Sequence, residues 1–170
     1  MKKQVLLGLI FLILAISAFL GYQSYKKIKA GKAFSMQIQQ LPEPVLFQWI
    51  GKAAQKNNKS TVVLFFHPDC EHCQYEAKAM MEQRNAFTDI NVWWISAADT
   101  SAIKTFSQTF VLAKFPNTYL AHIPAGKIIQ TFGSVSVPHI FIYDEQGILQ
   151  KQFKGETKID AILKYINAQK

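Results

Sequence analysis

Residues 61–84, TVVLFFHPDCEHCQYEAKAMMEQR, constrain this chain more than any other stretch. Val62-Val63-Leu64-Phe65-Phe66 is an unbroken apolar run rich in β-branched and aromatic residues, the pattern of a strand buried on both faces. His67-Pro68-Asp69 breaks the run. Beyond it Cys73, Ala77, Met80, Met81 and Arg84 recur at helical spacing, which starts a helix at about Cys70 with Asp69 as the expected N-cap. Two cysteines therefore stand in the first turn of a helix that follows a central strand.

That placement has chemical consequences. Unpaired backbone N–H groups and the positive end of the helix dipole act on the first turn, so a thiolate there is favoured over a thiol. The two-residue spacing lets the second sulfur close a small disulfide ring. Cys70 is expected to be the exposed attacker, and Cys73, one turn deeper, to resolve the mixed disulfide. Between them, a protonated His72 would assist the thiolate, whereas Glu71 and the preceding Asp69 would oppose it.

Two other uses of a C-x-x-C pair fit poorly. Zinc needs further ligands, and the chain has only these 2 cysteines. A structural disulfide over so short a loop would staple almost nothing. Dithiol redox chemistry is the reading taken, with no metal and no cofactor other than a redox-active Cys70–Cys73 disulfide.

The formal net charge of +8 in 170 residues resembles a nucleic-acid signal but is not one. Lys2, Lys3, Lys26, Lys27, Lys29 and Lys32 precede any acid, and the other 13 basic residues face 11 acidic ones. The lysines flank residues 5–22, VLLGLIFLILAISAFLGY, which carry no charge. As a helix this run is about 27 Å long, enough to cross a bilayer. An uncleaved anchor over residues 1–22 is expected, with a cleaved signal peptide as the alternative. Residues 23–40 read as a linker whose end adds an edge strand near Met36, and residues 41–170 as the folded domain. Charge does not decide orientation. A lone dithiol is most useful outside a reducing cytosol, so the domain is expected on the periplasmic, extracytoplasmic side of a bacterial inner membrane.

Within the domain, Pro44 is expected to open a helix with Leu46, Trp49, Ile50 and Ala53 on one apolar face. Residues 90–96 read as a strand, with Trp93 in the core and Trp94 toward the surface. Asp99 caps a helix running to about Ala113, with Ile103, Phe106, Phe110 and Val111 inward. A strand at 118–123, a helix from Pro124 to Gly133, a strand from Pro138, a turn at Glu145-Gln146-Gly147, an edge strand and a final helix bearing Ile159, Ile162, Leu163 and Ile166 complete an α/β fold, a mixed sheet flanked by helices. In such sheets the active groups lie beyond the carboxyl ends of the strands, where the cysteines fall.

Three landmarks carry a family resemblance. They are Phe65-Phe66-His67-Pro68-Asp69-Cys70-Glu71-His72-Cys73, the Phe132-Gly133…Val137-Pro138 segment with Phe141-Ile142-Tyr143-Asp144-Glu145-Gln146-Gly147, and the extra strand and helix at 118–133. The chain resembles thioredoxin-fold, membrane-anchored thiol-disulfide oxidoreductases of the TlpA/ResA type over residues 36–170. The resemblance implies that Pro138 is cis and sits beside the disulfide, that the Val137 backbone pairs with an extended substrate, and that Glu76 matches a carboxylate able to take a proton from Cys73. It also implies protein thiols and disulfides as substrates and a membrane or periplasmic redox partner. Leu64 departs from thioredoxin itself, which carries a buried acid there. A peroxiredoxin reading fails, because the Pro and Thr of that motif are replaced by Val63 and His67. The alternative from another class is a copper-binding chaperone using Cys70, Cys73 and a histidine, His67, His72 or His139.

Overall fold

The computed structural model describes residues 2–115 and 117–167, without the side chains of residues 2–3, 5–7, 9–11, 30–37 and 167. The first residue of the expected anchor and residues 116 and 168–170 of the expected domain lie outside the described residues. The chain forms two compact units, residues 1–37 and 38–170.

The first unit is one helix, α1 (Lys2–Ile38, 37 residues). It passes through the region expected to be a linker, because residues 23–37 contain no proline and are rich in Lys, Gln and Ala, all good helix formers. The edge strand expected near Met36 is absent there; only Gln40 pairs, through an isolated bridge to Ile148. Among the described residues, no helix is long and apolar enough to cross a membrane. The side chains at 5–7 and 9–11, part of the apolar run, lie outside them.

The second unit is a six-stranded mixed sheet in the order β1-β4-β3-β2-β5-β6. Its strands are β1 (Gln48–Ile50), β2 (Thr61–Phe65), β3 (Asn91–Ser96), β4 (Thr118–His122), β5 (His139–Tyr143) and β6 (Leu149–Lys154). Strands β2, β3 and β4 run parallel, and β5 lies antiparallel to β2 with Phe65 opposite His139. Helices α2 (Glu71–Glu82), α3 (Thr100–Thr109) and α4 (Ala125–Phe132) connect successive strands from β2 to β5, and α5 (Ile159–Asn167) follows β6.

Side chains alternate across the strands and build two cores. Val62, Leu64, Phe66, Trp94, Ile140 and Ile142 join α2, α3 and α5 on one face. Val63, Phe65, Trp93, Phe141 and Tyr143 meet Phe47 and α4's Phe132 on the other. Trp94 is therefore core, not surface: both tryptophans are fully buried, because helices cover the sheet on both sides.

Two segments differ from expectation. Residues 44–53 form a short 3-10 turn (Pro44–Leu46) and then β1 rather than a helix. Gly51, at φ 84, ends the run within two turns of Pro44, too short a helix to hold in isolation. On the sheet, Trp49 instead packs edge-on against Trp93 at 5.2 Å. The second is α3, which ends at Thr109 because Val111 takes a left-handed conformation (φ 51). A 3-10 turn then buries Leu112 and leaves Val111 exposed.

Candidate active site

The site forms where β2 runs out. Phe66 still bonds to the neighbouring strand through Ile95 O at 3.0 Å, and the chain then turns through His67-Pro68-Asp69. Asp69 does not cap α2. Its N–H instead bonds His67 Nδ1 at 3.2 Å, closing the loop locally. Cys70 takes the N-cap position with extended backbone (φ −84, ψ 113), and its carbonyl accepts from the N–H groups of Cys73 and Gln74, each at 3.0 Å. Gln74 Nε2 reaches back to Pro68 O at 2.9 Å and ties the loop to the helix.

Both cysteines are free thiols. Cys70 is half-buried and Cys73 fully buried. Burial pushes the Cys73 thiol up to about 12, a hydrogen bond that Cys73 donates to Cys70 adds to this, and a backbone hydrogen bond with His67 opposes it. Charge on Cys70 and on Glu76 raises it further. Cys73 is thus held as a neutral thiol at neutral pH.

The antiparallel register of β5 on β2 carries Pro138 to this end of the sheet. The Val137–Pro138 peptide is cis, and Cys70 Sγ lies 3.9 Å from Val137 O. Beside it a recess of about 270 Å³ is lined mainly by Phe65, Ile95, Ile128, Val135 and Val137, with His67 at its rim. The extra α4 supplies one wall.

Glu76 stands one turn beyond Cys73 on the same face of α2 and is 1 % exposed. Its Oε2 accepts from Thr157 N–H at 2.9 Å, and Oε1 has no partner. Burial raises its carboxyl to about 7, the Thr157 bond pulls the other way, and the charge of Glu156 adds to the rise. A cleft of about 500 Å³ between α2 and the start of α5 opens onto it. Glu71 is exposed in the first turn of α2. His72 is exposed too, and its Nδ1 lies 3.0 Å from Glu156 Oε2.

The structure therefore brings Cys70, Cys73, Glu76, Val137 and Pro138 together. His139 does not join them. It alternates with Ile140, stacks on Phe141 at 4.3 Å, and so lies on the opposite face of the sheet from Cys73. Burial lowers it to about 4, Gln152 pulls against this, and Lys154 adds to the lowering. Gln152 approaches without completing a hydrogen bond, since both ring nitrogens are unpartnered. Among the described residues, no three His, Cys, Asp or Glu side chains are grouped to hold a metal. Nothing here favours the copper reading. Glu156 and Thr157 were missed in the sequence: Thr157 lies 81 positions from Glu76, and no local pattern marks it.

Residues 33–152 match the AhpC/TSA family. The chain belongs to that family. Along nearly its whole length this AhpC/TSA chain is also similar to the thiol-disulfide oxidoreductase ResA of Bacillus cereus, 27 % identical over 98 % of this chain and 97 % of that one. ResA of Bacillus anthracis is 28 % identical with the same coverage. Among solved structures, a thiol-disulfide isomerase from Corynebacterium glutamicum superposes with a TM-score of 0.62 at 15 % identity, covering 76 % of this chain and 95 % of that one, which shows the thioredoxin-like fold. Family, fold and relatives give one class, thiol-disulfide oxidoreductases of thioredoxin-like type.

Proposed function

We propose that this chain is a membrane-anchored, extracytoplasmic oxidoreductase that exchanges disulfides with protein clients through Cys70 and Cys73. The observation that carries this reading is the juxtaposition of a part-exposed Cys70 with Val137 O at 3.9 Å, and of a buried Cys73 one turn behind it.

In the reducing direction the Cys70 thiolate attacks one sulfur of a client disulfide. A Cys70–client bond forms and the client's other sulfur leaves as a thiolate. Cys73 then gives its proton to Glu76 and attacks Cys70 Sγ. That closes the Cys70–Cys73 disulfide and releases the second client sulfur, which takes up a proton. Two electrons pass to the client, and a membrane or periplasmic dithiol partner restores the pair. Run backwards, the same steps oxidise a client. Glu76 suits proton transfer because its affinity lies near neutral pH. The Val137 backbone is placed to pair with an extended client segment.

Anchoring through residues 5–22 is supported by the apolar composition of that run and by its helical backbone within α1. Leu12, Ile13, Leu14, Ile16, Phe19 and Leu20 are exposed on that helix, where a bilayer would cover them.

The test is capture. Cys73→Ser is expected to accumulate mixed disulfides through Cys70 in intact cells, and loss of them in the Cys70→Ser/Cys73→Ser double variant is the control. A chain that captures nothing is a redox-inactive scaffold. A membrane-impermeant thiol reagent should label Cys70 in spheroplasts; protection until lysis would put the domain on the cytoplasmic side. The reduction potential of the pair sets direction: about −270 mV marks a reductant and about −120 mV an oxidant.

A further inference from the structure

Three consecutive residues after β6 each touch a different part of the site. Gly155 N–H donates to Pro138 O at 2.8 Å. Glu156 accepts from His72 Nδ1 at 3.0 Å, since a carboxylate can only accept. Thr157 N–H donates to Glu76 Oε2 at 2.9 Å. The turn is closed internally by Thr157 Oγ1 on Gly155 O at 3.1 Å, and Gly155 adopts φ 86, which a side chain would resist.

We propose that Gly155-Glu156-Thr157 is a positioning clamp for the exchange reaction, through which His72 acts on Glu76 rather than on the Cys70 sulfur. The cis-proline segment and α2, which carries both His72 in its first turn and the buried Glu76, are otherwise separate pieces of backbone. The clamp fixes both to one turn, so the group that receives the Cys73 proton is held in register with the segment that presents the client. His72 and Glu156 are exposed, so their contact adds little to stability. Its consequence is local: it holds the turn that supplies the donor to Glu76. The charged and titratable groups around Glu76 are Cys73 and Tyr75 on α2, Glu156 and Lys158 in the turn, and Asp160 on α5. The inference uses the exchange reading only for Glu76's role as proton acceptor.

The experiment is a double-mutant cycle on the full chain read by two titrations. One follows the Glu76 carboxyl by carbon NMR; the other follows Cys70 by the pH dependence of alkylation. In the wild-type background His72→Ala should raise the Glu76 midpoint by about half a pH unit, because a donor to the carboxylate is loosened and the Glu156 charge is left unpaired. In a Glu156→Ala background the same change should do nothing. His72→Arg, which keeps a donor to Glu156, should restore the wild-type midpoint. The Cys70 profile should stay in place throughout. A Glu76 midpoint that His72→Ala leaves unmoved, or moves equally in both backgrounds, overturns the clamp. So does a Cys70 profile that shifts with His72→Ala. Neither titration needs turnover, so failure to capture clients would sink the exchange reading, while the coupling of His72 to Glu76 through Glu156 would stand or fall on the titrations alone.

Discussion

The two faces of the sheet bury Glu76 and His139 near the same strand ends, with opposite consequences. Glu76, on the α2 side, has a backbone donor, an unpartnered oxygen and a cleft leading to it. His139, on the α4 side, has a ring stacked on Phe141 and no completed hydrogen bond. Burial drives both toward their neutral forms, raising the acid to about 7 and lowering the base to about 4. Only the acid has Cys73 on its own helix face. Burial alone therefore does not mark a reactive group. A buried group that can exchange its proton with a neighbour and with water is the one placed for chemistry.

The largest expected effect tests whether the chemistry lies on the α2 side at all. Cys70→Ser should abolish disulfide exchange, measured by insulin reduction, while Cys73→Ser should stop after the first step with a trapped adduct. If Cys73→Ser turned over normally, the buried sulfur would have no role and the comparison would lose its basis.

Next in size is Glu76→Gln. The release step should slow on the order of 10²-fold near neutral pH with little change in the first attack, read by stopped-flow of the mixed disulfide. Equal slowing of both steps would argue for a structural role.

Stability against pH sharpens the contrast. The folded state binds a proton at Glu76 more tightly than the unfolded chain does, so this group's contribution is full below its ordinary value of 4.5 and is lost as pH rises to about 7, roughly 3 kcal/mol in all. His139 binds its proton less tightly when folded. Its contribution is full above 6.5 and is lost as pH falls to about 4, again roughly 3 kcal/mol. The two slopes oppose each other between pH 4.5 and 6.5, so wild type should have a nearly flat profile there. Glu76→Gln should unmask stability that rises with pH, and His139→Leu stability that falls with it. Denaturant midpoints across that window check both, and parallel profiles in the two variants would refute the assignment.

The smallest effect is on His139 at neutral pH. Replacing a buried ring with two unpartnered nitrogens by leucine should stabilise the fold by about 1 kcal/mol and leave insulin reduction within twofold. Loss of exchange in His139→Leu would move the chemistry across the sheet.

Much of this was legible in the residues themselves. The apolar run at 62–66, the break at Pro68 and the spacing of Cys73, Ala77 and Met80 specify a buried strand, a turn and a helix that begins at the cysteines. These are local patterns, set by side-chain periodicity and turn chemistry. The errors were also local. Leu46, Trp49 and Ile50 fit a helical face as well as a strand, and only the aromatic packing offered by Trp93 decides for the strand. Trp94 reads as surface until helices are known to cover both sides of the sheet.

What residue order alone determined is which atoms can react: two thiols one helical turn apart, and a carboxyl one turn further on the same face. Tertiary structure decided what surrounds them. It brought Val137 to Cys70 across 67 positions and Thr157 to Glu76 across 81, and put His139 on the opposite face from Cys73. The physical reason is that hydrogen-bond partners, burial and the proton affinities they create depend on strand order and register, which no local spacing encodes.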